Sequence, residues 1–245
     1  MDVPDRGSTR LGWEELPGLF AGFENGAEWL VVLRRHAAIL ERERSRVRVS
    51  AVEGEDVIRR QYAESLEIAR IACEVAGETA ELVVDVGSGG GFPGIVMAVV
   101  LRDTEVVLVE PLKKRAALLA TIADELGLRN VRVEAVRAEE AGRGWLRDRA
   151  DLITARAVAE TRELLEYMAP LARPGGLLVL AKGSSADEET AAAGGALAEL
   201  GCEVSGTVSM RPEVSDYGRV VVVRKVRATP ARYPRRPGVP AKRPL

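Results

Sequence analysis

The decapeptide DVGSGGGFPG, residues 85–94, places one acid, five glycines, an aromatic ring and a proline directly after an apolar run. Glycine weakens helices and strands by about 0.5–1 kcal/mol relative to alanine, so five of them in ten positions imply a backbone that must turn sharply and be approached closely. Three further positions could serve the same ligand. Glu110 ends the run EVVLVE, and a carboxylate at a strand end can accept both hydroxyls of a ribose. Ala138 and Glu139 follow VRVEAVR and could meet a nucleobase edge. Arg156 ends ADLITAR, and its planar fork matches the O6 and N7 acceptors of guanine, or a phosphate.

These residues need a sheet to gather them. From residue 82 onward, apolar β-branched runs (ELVVDV, EVVLVE, VRVEAV, ADLITA, LLVLAK, CEVSGTVSM, GRVVVVRK) alternate with helical stretches such as PGIVMAVVLR, LKKRAALLATIADELG, ETRELLEYMAPLA and ADEETAAAGGALAELG. That alternation predicts an α/β fold with seven strands, mostly parallel, and helices on both faces. Only RPEVSDY separates the last two runs, so they should form a hairpin with the seventh strand antiparallel. In such a sheet ligands sit beyond the strand ends where the order reverses.

Residues 1–76 read as a helical extension. Trp29, Leu30, Leu33, Ala37 and Leu40 recur at helical spacing, as do Val57, Ile58, Tyr62, Leu66, Ile68 and Ile71. The charge-dense ERERSRVRV between them reads as a solvated helix end or loop. Residues 77–227 form the core. Residues 228–245 make a basic tail holding five of the 12 prolines, expected to be extended rather than helical. After Asp216 no acidic residue occurs, although the whole chain carries a net charge of only −2.

Composition removes several chemistries. His36 is the only histidine, which excludes zincin, Ser-His-Asp and Cys-His machinery, and it is expected to be a surface or packing residue. Cys73 and Cys202 form no C-x-x-C pair and are expected to be buried thiols. No run approaches the roughly 20 apolar residues of a membrane span. The start MDVPDRGSTR lacks the order of a signal peptide, so a cytoplasmic, monomeric protein without a metal is expected.

Two cofactors compete for the glycine loop. Gly89, Gly91 and Gly94 satisfy the dinucleotide pattern G-x-G-x-x-G, but Phe92 and Pro93 put a ring and a missing N–H where a pyrophosphate needs close approach. Asp85, Gly87, Gly89 and Gly91 satisfy D-x-G-x-G-x-G, the loop of S-adenosylmethionine-dependent methyltransferases, with the acid suited to the ligand's ammonium side. S-adenosylmethionine is the preferred reading and NAD the alternative. The sequence after the fourth strand lacks the Asp/Asn-Pro-Pro-aromatic signature of exocyclic-amine methylation, and no cysteine stands where cytosine C5 chemistry needs one. Guanine N7 already carries a lone pair and needs only in-line positioning, without a general base. A small-molecule methyltransferase remains the other alternative, and Arg156 could merely pair with Glu160 or Glu163.

The segments DVGSGGGFPGI, VEPLKKRAALL, RAEE, ITARAVA, LAKG and YPRRPGVPAKRPL together closely resemble the RsmG (GidB) family of bacterial 16S ribosomal RNA guanine-N7 methyltransferases, over roughly residues 55 to 245. The resemblance implies a class I Rossmann-like methyltransferase core, S-adenosyl-L-methionine as methyl donor, and 16S rRNA or the small ribosomal subunit as partner. Carried over by position, cofactor contacts fall at Gly87, Phe92, Ala138, Glu139 and Arg156. With Glu110 these make the expected cofactor set, while Arg156, Arg235 and Arg236 are the expected RNA contacts. No catalytic side chain is assigned. The chain departs from the family in its N-terminal part. Arg48-Val49-Ser50 stands where Asn-Leu-Thr is usual, and Gln61 replaces the histidine of R-H-x-x-D-S, read here from Arg60 to Ser65.

Overall fold

The computed structural model describes residues 11–47, 54, 56–77, 80–156 and 159–245. The first ten residues, Arg48-Val49-Ser50 and the Ala157-Val158 of ITARAVA lie outside the described residues. In chain order the elements are α1 (Leu16–Leu19), α2 (Gly26–Glu43), a π-helical segment (Ile58–Ala63), α3 (Glu64–Ala76), β1 (Leu82–Val86), α4 (Gly94–Val100), β2 (Glu105–Val109) and α5 (Lys113–Leu126). Then follow β3 (Val131–Glu134), α6 (Ala138–Ala141), β4 (Ala150–Arg156), α7 (Thr161–Met168), β5 (Ala172–Lys182), α8 (Ala186–Ala192), α9 (Gly194–Leu200), β6 (Cys202–Ser209), β7 (Arg219–Lys225) and α10 (Val239–Lys242).

The seven strands form one sheet in the order β3-β2-β1-β4-β5-β7-β6. The first five pair in parallel, and β7 enters antiparallel between β5 and β6, as the short hairpin connection predicts. The chain builds outward from β1 to β3 and then returns to lay β4 against β1's other side. The order therefore reverses between β1 and β4. Their C-terminal ends carry the glycine loop and Arg156, which is where a parallel sheet places its ligands.

Alternation along each strand divides the core. Val83, Val106, Leu108, Leu152, Leu177, Val179, Val220 and Val222 face one side, where they pack with α4, α5 and the N-terminal helices. Val84, Val86, Val107, Val109, Ile153, Ala155, Leu178 and Leu180 face the other, with α6 to α9 and Tyr233 of the tail. Leu16, Phe20, Trp29, Leu33, Tyr62 and Leu66 are all nearly inaccessible. Each such side chain contributes about 1.5–3 kcal/mol on burial, so the N-terminal extension is part of the core rather than a unit beside it.

Four local expectations are corrected. The stretch from Val57 to Ile71, read from its spacing as helical, contains the π-helical segment, a rare geometry that concentrates near functional sites. The stretch 186–200 divides into α8 and α9 around Ala193, next to the helix-weakening pair Gly194-Gly195. The tail contains one helical turn, α10, opened by Gly238 at φ 79° with Pro240 in its first turn. Cys202 is buried, but Cys73 is exposed because its position on α3 turns away from the sheet.

Candidate functional site

The glycine loop follows β1 and is strung between the two neighbouring strand ends. Gly87, Gly89 and Gly91 have φ of 75°, 55° and 94°, the left-handed region where a Cβ is strained. The Gly87 N–H donates to the Val109 carbonyl at 2.8 Å. A Cβ on Gly94 would stand 2.6 Å from Asp85 Oδ2, and one on Gly91 would stand 2.5 Å from Ile95 Cγ1. The glycines therefore serve two ends. The first of them shape a bare backbone at the rim, and Gly91 and Gly94 let α4 lie directly against the loop and β1.

Asp85 holds this turn from below. It is fully buried, and its Oδ2 accepts the Gly94 N–H at 3.1 Å while its Oδ1 accepts the Thr154 hydroxyl at 3.1 Å. Burial pushes its carboxyl up to about 6, against hydrogen bonds that pull the other way. As it stands, Asp85 anchors the loop and joins β1 to β4 instead of facing the rim.

Glu110 stands at the end of β2, nearly buried. One oxygen accepts the Gly89 N–H and the other the Leu112 N–H, both at 2.9 Å. A carboxylate offers about four lone-pair positions, so two remain for ribose hydroxyls. Ala138 and Glu139 begin α6 at the same rim, beyond β3. Both are buried, and the Glu139 carboxylate accepts the Gly238 N–H of the tail at 2.8 Å. Its side chain is thus engaged by the tail, which leaves the backbone of α6 as the part of this position open to a base.

Arg156 ends β4 and turns back across the loop. Its guanidinium carbon lies 5.4 Å from the centre of the Phe92 ring. It donates to the Arg60 carbonyl, to Gln61 Oε1, and to Glu64 Oε2 at 3.4 Å. The carboxylate beside it is therefore Glu64, not Glu160 or Glu163, which pair with Arg162 and Tyr167. Burial pushes the Arg156 guanidinium down and the Glu64 carboxyl up, each against the other's attraction. The pair is long and incompletely compensated.

Sequence reasoning missed the wall behind the loop. His36 of α2 is fully buried, with Nε2 at 3.0 Å from the Gly90 carbonyl oxygen and Nδ1 at 3.2 Å from the Tyr62 hydroxyl. Phe92 lies against both rings, with centroids 5.1 Å apart in each case. The signal was present: positions 29, 33, 36 and 40 follow the apolar helical stripe, so His36 falls on the inward face. Gln61 and Glu64 had no such signal, because their position facing Arg156 depends on the π-helical segment.

Gly87, Phe92, Glu110 and Arg156 thus come together at one rim, with Ala138 and Glu139 at its β3 side. Arg235 and Arg236 lie in the tail, on the opposite face of the sheet from the N-terminal helices. Arg235 is bound to the buried Glu166 of α7, with Nε to Oε1 at 2.9 Å and Nη2 to Oε2 at 2.5 Å. Arg236 is exposed. The bare, left-handed backbone and the strand-end carboxylate fit an adenosyl ligand.

The model of the rRNA small subunit methyltransferase G family matches residues 34–215. The chain belongs to that family. The ribosomal RNA small subunit methyltransferase G of Roseiflexus castenholzii is 39% identical over 214 residues, covering 86% of this chain and 89% of its own. That of Carboxydothermus hydrogenoformans is 38% identical over 222 residues, covering 89% and 92%. Among solved structures, a SAM-dependent methyltransferase from Aquifex aeolicus shares the fold with a TM-score of 0.52 at 18% identity, over 78% of this chain and 98% of its own. As a member of the rRNA small subunit methyltransferase G family, the chain is a methyltransferase of small-subunit ribosomal RNA, with S-adenosyl-L-methionine as methyl donor. The NAD and small-molecule alternatives drop out with that membership.

Proposed function

We propose that the chain methylates N7 of a specific guanine in 16S rRNA, with the cofactor seated on the loop of residues 87–94, Glu110 on its ribose, Phe92 beside it and the start of α6 at its adenine. Bound there, S-adenosyl-L-methionine supplies an electrophilic methyl group on a sulfonium. The protein's residues need only orient the acceptor, because N7 has no proton to lose. Arg156 carries the reading. Its guanidinium is fixed over Phe92 at the reversal point of the sheet. Its bonds to Arg60, Gln61 and Glu64 engage three of its five N–H groups, so it can still donate to guanine O6 or to a neighbouring phosphate. A base drawn against Arg156 has its N7 edge turned toward the loop, and in-line geometry then supplies the rate.

The RNA partner is 16S rRNA or the small subunit, met by a monomeric, cytoplasmic protein. Exposed Arg236 on the tail contributes phosphate contacts, whereas Arg235 holds the tail in place through Glu166. Among the described residues no helix is long and apolar enough to cross a membrane, in keeping with such a partner. The test is to incubate the protein with small subunits and methyl-labelled S-adenosylmethionine, then reduce the RNA and cleave it with aniline, which breaks the chain at N7-methylguanine. One cleavage at one guanine, lost in Arg156→Ala, is expected. Label in another base, or on an exocyclic amine, would refute the assignment.

A further inference from the structure

We propose that His36 is a positioning residue for the cofactor loop, holding the Gly90 carbonyl from behind while the Tyr62 hydroxyl fixes the imidazole. The inference rests on the loop of residues 87–94 being the cofactor site.

Donor and acceptor logic leaves one arrangement. The Gly90 carbonyl can only accept, so Nε2 of His36 must carry the hydrogen across the 3.0 Å contact. In the neutral imidazole Nδ1 is then the acceptor, and the Tyr62 O–H donates to it at 3.2 Å. Both rings are buried, which drives the imidazole down to about 4 and keeps it neutral at working pH. A relay therefore runs from the π-helical segment through α2 to the loop: Tyr62 O–H to Nδ1, and Nε2–H to the Gly90 oxygen.

The loop supplies this peptide with one hydrogen bond of its own, from the Gly91 N–H to the Ser88 carbonyl at 2.7 Å, and His36 adds the second hold, on the oxygen at the other edge of the same peptide. Gly89, Gly90 and Gly91 are consecutive, and the outer two hold φ of 55° and 94°. A peptide plane between glycines turns over at little steric cost. If the Gly90 carbonyl swung outward, an oxygen would enter the space where the cofactor meets the backbone, and a buried imidazole N–H would lose its partner. The packing leaves little slack for that motion. A Cβ on Gly91 would come within 3.4 Å of His36 Nε2, and the adjoining Phe92 ring is held at 5.1 Å from both the His36 and Tyr62 rings. The N-terminal extension thereby sets the shape of a loop that belongs to the methyltransferase core.

The experiment is calorimetric titration of S-adenosylmethionine into His36→Leu, His36→Gln and Tyr62→Phe, at a temperature well below unfolding of each. His36→Leu removes the donor and should weaken binding about five- to tenfold. His36→Gln places an amide N–H where Nε2 stood and should recover most of that loss. Tyr62→Phe should shift affinity in the same direction by less. In methylation assays KM for S-adenosylmethionine should rise in step with these changes, while KM for the ribosomal substrate stays at the parent's value. A purely structural histidine would lower thermal stability and leave the affinity untouched, and that result overturns the proposal. So does a His36→Gln protein that binds as weakly as His36→Leu. Should His36→Leu not fold, parental affinity in Tyr62→Phe overturns it equally. Glu110→Ala separates the two layers. If it too binds like the parent, the cofactor lies elsewhere and the loop assignment fails; if it alone binds weakly, only the role of His36 fails.

Discussion

The N-terminal helices and the C-terminal tail attach to opposite faces of one sheet by the same device. Glu67 of α3, fully buried, is gripped by Arg211 at 2.6 Å, and Glu166 of α7, also fully buried, by Arg235 at 2.5 Å. What lies beyond each clamp differs. On the tail side the ion pairs of the strap are settled: the hydrogen bond with Glu166 raises the Arg235 guanidinium, and Arg232 with Tyr233 holds Glu199 below the usual carboxylate range. The buried Lys225 ammonium there, pushed down to about 8 by burial, is held by the Thr229 hydroxyl and the Leu200 carbonyl. On the N-terminal side, where the extension meets the glycine loop, burial prevails. It pushes Asp85 and Glu64 up, and Arg156 and His36 down. Charges that find good partners hold a strap in place. On the other flank the buried groups are hydrogen-bonded too, but burial outweighs what their partners supply, a pattern that gathers at ligand sites.

The largest effect that can break this contrast is at the strap. Arg235→Ala leaves Glu166 buried with only the backbone N–H of residue 235, and a widowed buried charge costs about 3–5 kcal/mol. The melting temperature should fall markedly while affinity for S-adenosylmethionine, measured on the folded fraction, stays normal. A loss of cofactor affinity would erase the distinction between the two flanks.

Asp85 sharpens the other side. Its folded-state value of about 6 lies above the unfolded value near 4, so the folded protein binds this proton more tightly. Its contribution to stability, on the order of 2–3 kcal/mol, is full below about pH 4 and is lost as pH rises through about 6. Urea unfolding of Asp85→Asn should lack this component, so the difference between variant and parent should move in the variant's favour between pH 4 and 7. A pH-independent difference would mean that Asp85 is not strained by its burial. Next comes Glu110→Ala, which removes charge-assisted hydrogen bonds of roughly 1.5–3 kcal/mol and should weaken S-adenosylmethionine about ten- to a hundredfold by calorimetry. The smallest effect is Arg236→Ala. The salt dependence of RNA binding should flatten by about one unit of slope with cofactor affinity unchanged, and an unaltered slope would leave the tail without a phosphate contact.

Much of this arrangement was legible in the residues. β-branched runs separated by helical periods dictate the sheet, and the short RPEVSDY link dictates the antiparallel β7, because both are local consequences of pattern. Glycines at 87, 89 and 91 mark the turn because only glycine is at ease at such φ. What the sequence could not place are pairings between distant segments. Gln61 and Glu64 reach Arg156 from more than 90 positions away, in and just after a π-helical segment that residue types do not announce. The basic tail was legible as charge, but not as charge already bound. That Arg235 meets Glu166 rather than solvent depends on how the chain returns over α7 after β7. His36 was legible as an inward position, yet its partner is a backbone carbonyl, and a carbonyl leaves no trace in residue types.

The claim on which these differences depend is that the cofactor lies on the loop of residues 87–94, against the N-terminal wall. Hydrogen–deuterium exchange with and without S-adenosylmethionine tests it most directly. Slower exchange concentrated in residues 87–94 and at the start of α6, with the amides of residues 228–245 unchanged, is the predicted result. Tight binding of S-adenosylmethionine with no change in exchange at the loop would contradict it.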